Sequence, residues 1–177
     1  MNVRERLSSL LAFLAETKAK IAAAPLDVNV DRLIRGDSSK MKQYLETLGL
    51  SFPDIGTPHC QIYRKRWRTN QFFSTSVGHS LAGPASRALV WLIRIDKKTT
   101  KGRSGGHYTS ESEILFPYDV EFELEGVIHV GAETNIAGLK LNLLTDPERV
   151  RSELTEVYQA NRFTQQTAPW FLVAKEV

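Results

Sequence analysis

Two acidic residues, Glu111 and Glu113, stand two apart in the stretch Tyr-Thr-Ser-Glu-Ser-Glu-Ile-Leu-Phe-Pro, residues 108–117. Side chains two apart on a strand share a face. Glu113 opens the apolar run Ile114-Leu115-Phe116, which reads as buried, so both carboxylates stand where a rigid sheet meets solvent. There they can hold one substrate between them, which is a catalytic geometry. By itself such a pair is most often two solvated acids at a strand edge, so the reading depends on what the rest of the chain brings to it.

The elements that must position these acids follow from apolar spacing. Leu7, Leu10, Leu11 and Leu14 are spaced for one face of a helix over about residues 3–23, ahead of Pro25, and the expected role of that stripe is to cover the core. A short segment from Val28 to Ile34 ends at Arg35-Gly36. Asp37 or Ser38 then caps a second helix, stopped near Leu48 by Gly49. From residue 60 onward β-forming residues dominate, predicting strands at Gln61–Tyr63, Gln71–Thr75, Ala88–Ile95, Ile114–Phe116, Val120–Val130 and Leu139–Leu143. Lys97–Gly106 reads as a polar loop. Asp146 and Pro147 start a helix to about Asn161, and Pro169–Val173 reads as the last strand. Helices followed by mostly antiparallel strands predict an α+β sandwich.

Composition narrows the field. At 177 residues and 42% hydrophobic content, the chain suits one core and a single domain over residues 1–177. No stretch approaches the roughly 20 apolar residues of a membrane span, and the N-terminus lacks the order of a classical signal peptide. The single cysteine, Cys60, excludes an internal disulfide. His59, His79, His107 and His129 show no metal-ligand spacing with one another or with Cys60, so no metal is expected. The loop Lys101–Gly106 lacks the Gly-Lys-Ser/Thr ending of a phosphate loop. A net charge of +3 permits an acidic partner, and the basic run Arg64–Arg68 makes nucleic acid a secondary candidate.

Three segments occur in order: Leu33-Ile34-Arg35-Gly36, Phe72-Phe73-Ser74-Thr75-Ser76, and Glu111-Ser112-Glu113. Together they resemble the Arg, Ser-Thr-Ser and Glu-x-Glu pattern of mono-ADP-ribosyltransferases of the cholera-toxin-like and clostridial-toxin-like clade, over roughly residues 30–130. The resemblance implies a split β-sandwich, the ADP-ribosyltransferase fold, with N-terminal helices; residues 1–25 would form a helix packed on the catalytic core. It implies NAD as substrate. Glu113 would stabilise the oxocarbenium-like ribose, and Glu111 would orient an acceptor arginine and take its proton. Arg35 would reach the NAD phosphates and Gly36 would leave backbone groups open to the nicotinamide amide. Ser74 would hydrogen-bond Glu113, Thr75 and Ser76 would shape the nicotinamide pocket, and Tyr108 would recognise the target. A rival for Arg35 is Arg64, which follows Tyr63, but only ten residues part it from Ser74, too few for the intervening helix.

Relatives often stack an aromatic on nicotinamide after the Ser-Thr-Ser segment, and Val77–Arg87 has none, so Phe72, Phe73 or another ring must substitute. The partners implied are a protein with an accessible arginine, and an immunity protein or secretion adaptor. The setting implied is a bacterial effector secreted without a classical signal peptide and acting in the target-cell cytosol. Two other readings stand beside this one. The same site could modify RNA or hydrolyse NAD, or an inactive transferase-like domain could bind through residues 64–68.

Overall fold

A computed structural model describes residues 2–23, 28–53, 57–81, 87–104 and 113–177. Strand β4 (Leu89–Arg94) is apolar at five successive positions because both of its faces are covered. Leu89, Trp91 and Ile93 enter one hydrophobic cluster, and Val90 and Leu92 enter another. Around it the chain forms α1 (Val3–Ala23), β1 (Arg32–Asp37), α2 (Ser39–Thr47), β2 (His59–Arg68), β3 (Phe73–Ser76), β5 (Arg103–Ser104), β6 (Glu113–Phe116), β7 (Glu121–His129), α3 (Pro147–Asn161) and β8 (Trp170–Glu176).

The strands run in the order β2-β7-β8-β4-β1-β3-β6-β5. Among the described residues only β4 and β8 pair in parallel. The joint between β1 and β3 is a single residue pair, Ile34 opposite Ser76, and there the sheet splits into five strands and three. In a flat sheet, with strands about 4.8 Å apart, Phe73 on β3 would lie far from Phe122 on β7, four strands away. Their ring centroids are 5.5 Å apart, and Phe116 of β6 lies 5.4 Å from Phe122. The three-stranded part is therefore folded over the five-stranded part, with Trp67, Trp91 and Phe122 between them. The opposite face of the larger part is covered by Val150, Leu154, Val157 and Tyr158 of α3. This is an α+β split β-sandwich, as expected.

Several elements depart from the sequence reading. Leu139–Leu143 is not a strand: Leu139, Leu141 and Leu144 are buried against the α3 cluster from irregular chain, while Leu143 is 77% exposed. Arg151 on α3 binds the carbonyls of Ile136 and Ala137 instead of a strand partner doing so. Strand β1 runs on through Arg35 and Gly36 to Asp37, held by the ladder to β4. Asp37 is thus not a cap; Ser38 is the N-cap residue of α2 and makes no side-chain capping bond. Strand β2 extends through the basic run, and β5 lies within the expected loop 97–106. Pro147 opens α3 as expected, but Asp146 takes a left-handed conformation without a side-chain capping bond.

The stripe of α1 does not cover the core. Leu7 is 54% and Phe13 62% exposed, whereas Ile21 is 8% exposed. The helix is held at its C-terminal half, where Lys18 pairs with Asp119 at 3.3 Å and lies over the Tyr118 ring.

Candidate active site

Strand β3 is the hub of the site. Its alternation sends Phe73 and Thr75 into the sandwich and leaves Ser74 and Ser76 half-buried on the other face. Thr75 Oγ1 donates to the Ile114 carbonyl at 2.7 Å, adding a side-chain tie to the β3–β6 ladder. In that ladder Ser76 lies directly opposite Glu113, and Ser74 opposite Leu115. Directly opposed side chains share a face with Cβ atoms about 4.5–5.5 Å apart, so Ser76 is the nearer neighbour of Glu113. Among the described residues neither Ser74 nor Ser76 is hydrogen-bonded to the Glu113 carboxylate, and Ser76 is the one directly opposite it. The Ser76 hydroxyl oxygen accepts from the Gly78 N–H at 3.3 Å, which leaves its own proton to be donated.

Arg35 meets Ser74 through the backbone: Nη1 donates to the Ser74 carbonyl at 3.0 Å. Its Nε and Nη2 donate to the two oxygens of Asp37 at 2.8 and 3.1 Å, and its guanidinium carbon lies 4.3 Å from the centre of the Phe73 ring. Asp37 Oδ2 also accepts from Trp91 Nε1 at 2.8 Å. Arg35 therefore straps β3 to β1 beyond their last ladder pair, and three of its five N–H donors are engaged in doing so. Asp37 was not foreseen. The signal was present, because a residue two beyond Arg35 shares its face once the strand is known to continue.

Backbone groups alternate sides along an antiparallel strand. Ile34 turns its groups toward β3, so Gly36 turns its groups the same way, two residues past the single pair that joins the strands. That edge of β1 opens into the split. Beside it, between β1 and α2, lies an open cleft of about 330 Å³ walled by Arg35, Asp37, Lys40, Tyr44, Trp67 and Gln71. This falls at the small end of ligand-pocket volumes. Lys40 and Tyr44 carried no local signal of a site; the folding of α2 against β1 puts them there.

Glu111, Tyr108 and His107 lie outside the described residues. Arg64 is exposed on β2, whereas Arg35 bonds the Ser74 carbonyl and is the arginine that meets the Ser-Thr-Ser strand. Within the basic run, Arg68 pairs with Asp119 and Glu121, and Arg66 with Glu121. The Lys65 ammonium lies beside Gly49, at the C-terminal end of α2, where a cation is favoured. Phe73 is fully buried beneath Arg35 and cannot stack on a ligand, which leaves Phe72, in edge contact with Tyr118, as the ring available from that pair. Burial pushes the Cys60 thiol up to about 11, which disfavours its thiolate. Among the described residues, no group of three His, Cys, Asp or Glu side chains is arranged to hold a metal ion. No described helix is long and apolar enough to cross a membrane.

The folded-over sheet with its one-pair split is the ADP-ribosyltransferase fold, shared with bacterial toxin domains. No family model and no curated protein matches the sequence. The C-terminal toxin domain of RHS2 from Yersinia entomophaga superposes with a TM-score of 0.67 at 14% identity, over 98% of this chain and 71% of that one. The Salmonella SpvB ATR domain gives 0.62 at 15% identity, over 100% and 76%. The ADP-ribosylating toxin BECa of a Clostridium perfringens binary enterotoxin, solved with NADH, gives 0.52 at 11% identity, over 96% and 36%. At these identities the likeness is one of fold.

Proposed function

We propose that this protein is a mono-ADP-ribosyltransferase that moves ADP-ribose from NAD to an arginine of a target protein and releases nicotinamide. The observation that carries the reading is the convergence on β3: Arg35 bonded to Ser74 on one side and Glu113 opposite Ser76 on the other. It is supported by a fold shared with an ADP-ribosylating toxin solved with a nicotinamide dinucleotide.

The chemistry accounts for each residue type. The bond from ribose C1′ to the nicotinamide nitrogen breaks with its electron pair leaving on nicotinamide, and the ribose becomes cationic. The Glu113 carboxylate stabilises that charge, and the Ser76 hydroxyl donates to the carboxylate and holds it. The N–H and C=O of Gly36, turned toward the split, meet the nicotinamide carboxamide. The acceptor guanidinium nitrogen attacks C1′, and its proton passes to Glu111, because an unassisted arginine is protonated and a poor nucleophile. With much of its fork held by Asp37, Arg35 offers the diphosphate its remaining donors. Lys40 and the uncapped N-terminus of α2, in the same cleft, add positive potential.

The basic run favours a protein acceptor over RNA, since Arg66 and Arg68 are paired with carboxylates and Lys65 serves α2. By analogy of fold alone, the setting is a bacterial effector acting in the target-cell cytosol, with an immunity protein or secretion adaptor as further partners. Incubation with labelled NAD and a cell lysate tests the reading. Wild type transfers label that hydroxylamine releases, as arginine linkage requires. Equal labelling by wild type and Glu113→Ala, or none by wild type, overturns it.

A further inference from the structure

Asn161, the last residue of α3, is 6% exposed and spends two of the three hydrogen bonds of its side-chain amide on chain far away in sequence. Its Nδ2 donates to the His79 carbonyl at 2.8 Å and to the Val157 carbonyl at 2.8 Å, and its Oδ1 accepts from the Leu81 N–H at 2.8 Å. The Asn161 carbonyl also accepts from Arg87 Nη1 at 3.3 Å. Bonding the C=O of residue 79 and the N–H of residue 81, the amide does what a neighbouring strand would do for a backbone that has left the sheet. The His79 ring is held separately, its Nε2 lying 2.8 Å from Arg32 Nη2 and 2.6 Å from Glu156 Oε2.

The segment held in this way is the continuation of β3. One residue before His79, the Gly78 N–H donates to Ser76 Oγ, and Ser76 lies opposite Glu113. A shift of the 78–81 backbone therefore moves the donor that fixes the Ser76 hydroxyl and, with it, the orientation of that hydroxyl opposite Glu113. We propose that Asn161 is a positioning residue of the transferase site, acting through the backbone of residues 78–81 on Ser76 and so on Glu113. This role rests on the transferase reading above. Asn161 touches neither substrate nor the reacting atoms.

The test is a double-mutant cycle on NAD cleavage, followed as nicotinamide release, with amide exchange measured alongside. Asn161→Ala is expected to lower kcat about tenfold per folded molecule with a smaller change in KM. Asn161→Asp keeps the acceptor for Leu81, loses both donors and falls between. Ser76→Ala lowers kcat by itself, and Asn161→Ala added to it costs nothing further, because the two act in series. Amide exchange at Gly78 and Leu81 speeds up in Asn161→Ala while the strands of the core keep their protection. A merely structural residue would lower the melting temperature, leave kcat per folded molecule unchanged and combine additively with Ser76→Ala. Additive losses or unchanged exchange at Leu81 in an active protein overturn this inference alone. A wild type that leaves NAD intact overturns the transferase reading and this role with it.

Discussion

Arg35 and Asp37, two residues apart on β1, form a two-point ion pair on one face of the strand, and Asp37 is in turn held by the indole N–H of Trp91. The pair is mostly buried, so each charge depends on the other, and removing one leaves an uncompensated group. Asp37→Ala strands the Trp91 donor and the Arg35 fork together and is expected to cost about 2–4 kcal/mol of stability in urea unfolding. Asp37→Asn keeps an acceptor for Trp91 and is expected to cost roughly half as much. Arg35→Lys keeps the charge but cannot fork, so it loosens the strap to Ser74 and is expected to lower NAD turnover at least about tenfold. Equal stability of all three variants and wild type would contradict the strap.

Glu113 stands at the open end of β6, opposite a hydroxyl, so its removal leaves the fold intact. Glu113→Gln is expected to lower kcat about 10²–10³-fold, the usual loss when one preorganised charge-stabilising group is taken away, with an unchanged melting temperature. Glu111→Ala is expected to abolish modification of arginine while sparing part of the NAD cleavage, because a water acceptor brings no guanidinium that must be oriented and deprotonated. Parallel assays of nicotinamide release and label transfer separate the two. If both activities fall together in Glu111→Ala, the division of labour between the acids is wrong.

What the sequence reveals of this site depends on range. The meeting of Arg35, Ser74–Ser76 and Glu113 around β3 is legible because each lies in a short strand with a distinctive run of residue types. Asp37, Lys40 and Asn161 are not. Asp37 matters only once Arg-Gly-Asp, a poor strand former, is held extended by the buried β4, and Asn161 acts on residues 80 and 82 positions away. The false strand at Leu139–Leu143 has the same origin. Alternating leucines report burial, and here an α3-covered coil buries them as well as a sheet would.

Helix α1 separates apolar composition from burial along one element. Its stripe of Leu7, Leu10 and Leu11 is exposed, whereas Ile21 is packed in. Leu7→Ser and Leu10→Ser are therefore expected to change stability by no more than about 0.5 kcal/mol, while Ile21→Ala is expected to cost about 2 kcal/mol or more through the cavity it leaves. Urea denaturation of the three variants checks this. A large loss from Leu7→Ser would mean that the stripe is covered in solution.

His59 and His129 are directly opposed across β2 and β7, and both rings pack on Trp170, at 6.0 and 5.0 Å. Burial, together with the nearby charge of Lys42, holds the His129 imidazole below its ordinary pKa, despite a backbone hydrogen bond at Ala168 that acts the other way. The folded state therefore takes up this proton less readily than the unfolded chain. The stability tied to neutral His129 is fully present above the unfolded pKa of about 6.5 and is lost as the pH falls through that value toward the lower folded one. Glu153 and Glu176, whose carboxyls burial pushes up, have the opposite sign, with a window that opens above about 4.5. Thermal unfolding between pH 8 and 6 reads the histidine with least interference. The melting temperature of wild type is expected to fall across that range, and that of His129→Gln to fall less. Parallel curves for the two proteins would assign the loss to other groups.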